Sequence, residues 1–194
     1  MRDIVKTTIP LLALCLAVGL CLSYVNALTK GPIEKRKIED AEKKKKEVLP
    51  EAQTFEEIAD WKTAAPEGHV LTGAYRGMRD GKTVGYVFSA APKGYAGAMT
   101  VTIGIKRDGT VGAVSLGDNK ETPGLGTKAG EAPFITQFAG KTIATPIELV
   151  KMTASGNQVQ AIAGATISSR AMVVAVQHAA AVARELLKRE GGKP

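Results

Sequence analysis

Met99-Thr100-Val101-Thr102-Ile103-Gly104-Ile105, then Lys106-Arg107-Asp108-Gly109, then Val111-Gly112-Ala113-Val114-Ser115-Leu116, is the stretch that sets the fold class. Met99, Val101, Ile103 and Ile105 recur at every second position, the period of a half-buried strand. Asp108-Gly109 is a hairpin signal, so the second run should return antiparallel to the first. Upstream, the strand-like runs 70–76 and 83–89 flank a second such turn at Asp80-Gly81. Helical segments are expected on either side, over residues 55–61 and 168–189. Strands in one run, bracketed by helices, predict an α+β fold: an antiparallel sheet packed by helices.

The last helix carries Val173, Val176, Ala180, Ala183 and Leu187 at helical spacing, and Gly192-Lys193-Pro194 reads as its stop. It is preceded by Ala163-Gly164-Ala165-Thr166-Ile167-Ser168-Ser169. Such a turn puts a hydroxyl beside unpaired N–H groups at the positive end of a helix, where a phosphate is well held. Gly164 and Ala165 add little bulk to block its approach. The same residues also read as an ordinary helix cap supplied by Thr166 or Ser168. Between the hairpin and this turn, Glu121-Thr122-Pro123-Gly124-Leu125-Gly126 describes a tight loop that brings backbone and one apolar side chain to the surface.

The order is Gly94-Tyr95-Ala96-Gly97, hairpin, Glu121-to-Gly126 loop, a segment with Phe134, Gln137, Phe138, Gly140 and Lys141, and then Gly164-Ala165-Thr166 with its helix. That order resembles the G subunit of Rnf electron-transport complexes, with the C subunit of the sodium-pumping NADH:quinone oxidoreductase as a relative. The resemblance covers essentially the whole chain. It implies an FMN joined to Thr166 by a phosphoester, with Gly164, Ala165 and Ser168 around the attachment point. It also implies that Glu121, Thr122, Gly124, Leu125 and Gly126 wall the ring site, with Tyr95 contributing aromatic surface or packing in the core. Lys120, Lys128 and Arg170 could add charge there. No residue is assigned a catalytic role in turnover, so the chain reads as an electron-carrying subunit rather than a catalyst alone.

Implied with it are the other membrane and soluble subunits of an ion-translocating complex moving electrons between ferredoxin and NAD, and a flavin transferase that installs the FMN. Three departures stand out. The family usually has Ser or Thr at the position of Ala163, often Asp at Gln160, and often His at Asn119. Two other readings follow from the residues: a stand-alone membrane-anchored flavin domain serving another reductase, or a structural subunit that carries no flavin.

From Thr7 to Thr29 the chain bears no charge, and about 20 such residues can span a bilayer as one helix. Val25-Asn26-Ala27 also resembles a signal-peptide cleavage site, while the resemblance implies an uncleaved anchor. The expected organisation is therefore an N-terminus and transmembrane anchor over 1–29, a charged juxtamembrane linker or helix over 30–50, and an FMN-binding domain over 51–194. Basic residues after the span outnumber Arg2 and Lys6 before it, which by charge alone points the globular part to the cytoplasm. The resemblance instead implies the extracytoplasmic side of a bacterial inner membrane.

The net charge of +7 raises nucleic acid as a partner. Acids interleave with the lysines, aromatics are absent from the run and no nucleic-acid motif is present, so a solvated membrane-proximal helix is the better reading, one that could also be attracted to anionic lipid headgroups. Cys15 and Cys21 both lie inside the apolar stretch, which excludes disulfides and cysteine-ligated clusters from the globular part. His69 and His178 lack zinc-type spacing, so no metal site is expected.

Overall fold

A computed structural model describes residues 2–191. The Gly192-Lys193-Pro194 stop lies outside the described residues. Contacts divide the chain into two compact units, the first ending at Glu42 and the second beginning at Lys43.

The first unit is the bulk of one helix, α1 (Arg2–Val48), with Pro10 and Pro32 inside it. It contains a segment long and apolar enough to cross a membrane. Leu11, Leu14, Val18, Leu22, Val25 and Leu28 all expose their side chains, as do Cys15 and Cys21.

In the second unit, β1 (Thr54–Glu57), β2 (Leu71–Arg79), β3 (Lys82–Ala90), β4 (Val101–Lys106) and β5 (Val111–Leu116) form an antiparallel sheet in sequential order. Both hairpin signals are realised. Asp80 and Gly81 take φ of 50° and 73°, the two left-handed residues of a type I′ turn. Gly109, at φ 79°, closes a three-residue loop whose Gly109 N–H donates to Lys106 O. A small parallel pair, β6 (Glu148–Val150) and β7 (Gln158–Gln160), lies after the short helix α2 (Ala132–Ile135).

The long helix α3 (Thr166–Arg189) buries Met172, Val176, Ala179, Ala183 and Leu187 against one face of the sheet, opposite Tyr86, Phe88, Ile103 and Ile105. Ala171, Ala175 and Ala180 are buried on the same helix. Phe134 and Phe138 close the same core, their rings edge to face at 5.5 Å between centroids.

Two expectations are corrected. Residues 55–61 are not helical: Thr54 to Glu57 pair with Met78 to Tyr75 as an edge strand, and only Trp61–Ala64 forms a 3-10 turn. Backbone pairing to an open sheet edge outweighs the helical leaning of Phe-Glu-Glu. Nor is β4 half-buried, since Val101 through Ile105 are all buried. The second face of the sheet is covered by Val48, Leu49 and Ala52, which pack with Val87. Glycines make room for them. A Cβ on Gly104 would lie 2.2 Å from Val48 O, and one on Gly77 2.6 Å from Leu49 Cδ2. Lys45, also buried, sets its ammonium 3.5 Å from the centroid of the Tyr75 ring.

Candidate functional site

The start of α3 is not capped by any side chain. Its first backbone bond runs from Ser169 N–H to Ala165 O, so the N–H groups of Thr166, Ile167 and Ser168 have no protein acceptor among the described residues. Gly164, at φ 79°, is the left-handed residue that turns the chain into the helix.

Three hydroxyls crowd this turn, and the fold treats them differently. Ser168 is buried and donates to Glu121 Oε2 at 2.6 Å. Ser169, fully buried, donates to Ala165 O at 2.9 Å and accepts from Ile162 N–H at 3.0 Å. Thr166 is half-buried, and its hydroxyl has no partner among the described residues. Neither Thr166 nor Ser168 acts as the cap that the sequence also allowed.

Thr166 opens onto a cleft of about 600 Å³ lined by Tyr95, Glu121, Thr122, Leu125, Gly126 and residues 164–168. That size is within the range of small-molecule and cofactor sites. Tyr95, Leu125 and Ile167 expose large apolar side chains at its rim. Outside α1, Met152 is the one other large apolar residue so exposed among those described. Leu125 leans over the turn: a Cβ on Gly164 would sit 3.3 Å from Leu125 Cδ2.

The carboxylate of Glu121 stands between the two walls. Besides Ser168 it accepts from Ala96 N–H at 3.1 Å, tying the 94–97 loop to α3. Its own N–H donates to Asn119 Oδ1, while Asn119 Nδ2 donates to Gly117 O. Asn119 thus shapes the loop that leads into the motif.

Nine of the ten residues singled out in the sequence lie together around this cleft. Gly124 does not line it: at φ 75° it is the outer turn residue of the loop, its N–H donating to Thr127 Oγ1. Tyr95 is surface rather than core, at 70 % exposure. Lys120, Lys128 and Arg170 are not among the residues that line the cleft. Ile167 lines it without having been expected to; its signal is an apolar residue one step off the buried stripe of α3, in the first turn. Gln160 is exposed and held through its main chain, with its N–H donating to Gln137 Oε1 at 2.7 Å.

The three unpaired N–H groups suit a phosphate, the free hydroxyl suits attachment, and the apolar rim suits a flat aromatic ring. The residues present therefore fit FMN. Residues 94–181, within the globular unit, match the family described as FMN-binding domain. Two solved structures share the fold, each with a TM-score of 0.50. One is NqrC from Shewanella oneidensis, 17 % identical, the match covering 68 % of this chain and 73 % of that one. The other is the C subunit of the Na(+)-translocating NADH-quinone reductase from Parabacteroides distasonis, 22 % identical, covering 59 % and 62 %.

Among relatives by sequence, the G subunit of the Na(+)-translocating ferredoxin:NAD(+) oxidoreductase complex of Acetobacterium woodii is 35 % identical over 89 % of this chain and 88 % of its own length. The G subunit of the ion-translocating oxidoreductase complex of Methanosarcina acetivorans is 29 % identical over 92 % and 93 %. The chain belongs to the G-subunit family of Rnf-type ion-translocating oxidoreductase complexes.

Proposed function

We propose that the chain is a membrane-anchored electron carrier of an Rnf-type complex, working between ferredoxin and NAD through an FMN joined to Thr166. One observation carries the assignment: of three hydroxyls at the start of α3, Ser168 and Ser169 are engaged and buried, while that of Thr166 is unpaired among the described residues and faces the cleft. When bound, the flavin supplies one- and two-electron chemistry. The protein binds and orients it. The N–H groups of Thr166, Ile167 and Ser168 would hold the phosphate at the positive end of α3. Tyr95, Leu125 and Ile167 would shield the ring from water while leaving it near the surface, within reach of redox partners.

Attachment needs a flavin transferase and FAD. The Thr166 Oγ–P bond forms, the phosphoanhydride bond of FAD breaks, and AMP leaves as the hydroxyl proton is released. The apolar part of α1 would be a single membrane anchor, with the flavin domain on the extracytoplasmic side of the inner membrane and the other subunits of the complex as its partners. The test is denaturing electrophoresis of the full chain co-expressed with a flavin transferase. The wild type should give a fluorescent band and Thr166→Ala none, while Thr166→Ala still melts cooperatively. A fluorescent Thr166→Ala band would overturn the assignment.

A further inference from the structure

Glu121 is a carboxylate with 5 % of its surface exposed, 47 positions before its partner Ser168 and 25 after its partner Ala96. The fold makes room for it at two glycines. A Cβ on Gly94 would lie 2.4 Å from Glu121 Oε1, and one on Gly126 2.2 Å from Oε2. Two elements with no other hydrogen bond between them among the described residues, the 94–97 loop and the first turn of α3, are thus fastened to one side chain. Those two elements carry Tyr95 on one wall of the cleft and Thr166 on the other. Charge-assisted bonds of this kind are about twice as strong as neutral ones.

We infer that Glu121 is a positioning residue for flavin attachment: its hydrogen bonds to Ser168 and Ala96 fix the cleft before the cofactor arrives and hold the α3 start so that Thr166 is the hydroxyl presented. This rests on the proposed attachment at Thr166. Each oxygen of Glu121 holds one of these bonds, Oε1 to Ala96 and Oε2 to Ser168. Its effect passes through Ser168 and the loop. A displacement of about an ångström at a reacting group can cost on the order of a hundredfold in rate.

The experiment is a double-mutant cycle on the full chain in detergent, reading the rate of covalent flavin incorporation from FAD by a purified flavin transferase. Melting, followed by fluorescence of Trp61, the one tryptophan, reports folding. Glu121→Ala and Ser168→Ala should each slow incorporation about ten- to a hundredfold, and the double variant no further, as expected for residues acting as one unit. Glu121→Gln, whose amide can accept from Ala96 and donate to Ser168, should recover most of the rate. The inference is overturned if the two losses multiply, if Glu121→Gln is as slow as Glu121→Ala, or if melting falls while the rate holds. Should Glu121→Ala not fold, Ser168→Ala should still slow incorporation while Glu121→Gln keeps most of the rate, and a Ser168→Ala rate equal to the wild type overturns the inference. Failure of the wild type to take up flavin, with a control acceptor loaded alongside, would instead overturn the proposed function, and this inference with it.

Discussion

Gly104→Ala should destabilise the globular unit, against what local preference alone expects. Within a strand, Ala is favoured over Gly by roughly 0.5–1 kcal/mol, so propensity predicts a gain. The added Cβ, however, would stand 2.2 Å from Val48 O and 2.7 Å from Val48 C, where ordinary contact begins at 3.4 Å. The obstacle is main chain and cannot swing aside as a side-chain tip would. Relief requires Val48 and Leu49 to lift off the sheet by about an ångström, and both are fully buried. Full exposure of two such side chains would cost about 1.5–3 kcal/mol each, and overpacking alone costs about 1–3 kcal/mol. With lifting only partial, a net loss of about 2–4 kcal/mol follows. Gly112→Ala, with its Cβ 3.0 Å from the same carbonyl, should cost less. Urea unfolding of the full chain in detergent, read by Trp61 fluorescence, measures both. A Gly104→Ala midpoint equal to or above the wild type would refute the claim that Val48 and Leu49 cover this face.

Further outcomes are expected at the site and away from it. Gly164→Ala forces an L residue to φ 79° and presses a Cβ toward Leu125. It should lose about 1–2 kcal/mol and slow flavin uptake, measurable by the same melt and by in-gel fluorescence. His178 Nδ1 accepts from Val70 N–H, and burial, with His69 nearby, lowers its pKa below the ordinary value of 6.5. The unfolded chain then binds the proton more readily. The contribution of His178 is therefore complete above about pH 6.5 and is lost as pH falls toward its lowered folded value. Melting temperatures between neutral and mildly acid pH should fall more steeply for the wild type than for His178→Gln, and parallel curves would refute this.

Much of the architecture is written locally. Alternation at Met99 to Ile105, the Asp-Gly turns and the apolar stripe of α3 each depend on residues a few positions apart. What failed depends on distant ones. Thr54-Phe55-Glu56-Glu57 looks helical until the open edge of β2 is known to run beside it. The glycines at 77, 85 and 104 read as weak strand positions until Val48 and Leu49 are seen to need their space. At the site, the motifs named the loop and the turn that meet, but not how. The bond from Ser168 to Glu121 joins residues 47 apart, and nothing in either motif announces it. It is that bond, with those of Ser169, that separates Thr166 from its neighbours and removes the capping alternative. Gln160 is exposed, and its side chain makes no hydrogen bond among the described residues.

The most direct test of attachment at Thr166 is the intact mass of the full chain co-expressed with a flavin transferase, followed by peptide mapping. The mass should rise by one FMN less one water, with the gain confined to the peptide that holds residues 163–169 and localised within it to Thr166. A gain localised to Ser168 or Ser169, or an unchanged mass beside a control acceptor that is fully loaded, would contradict it.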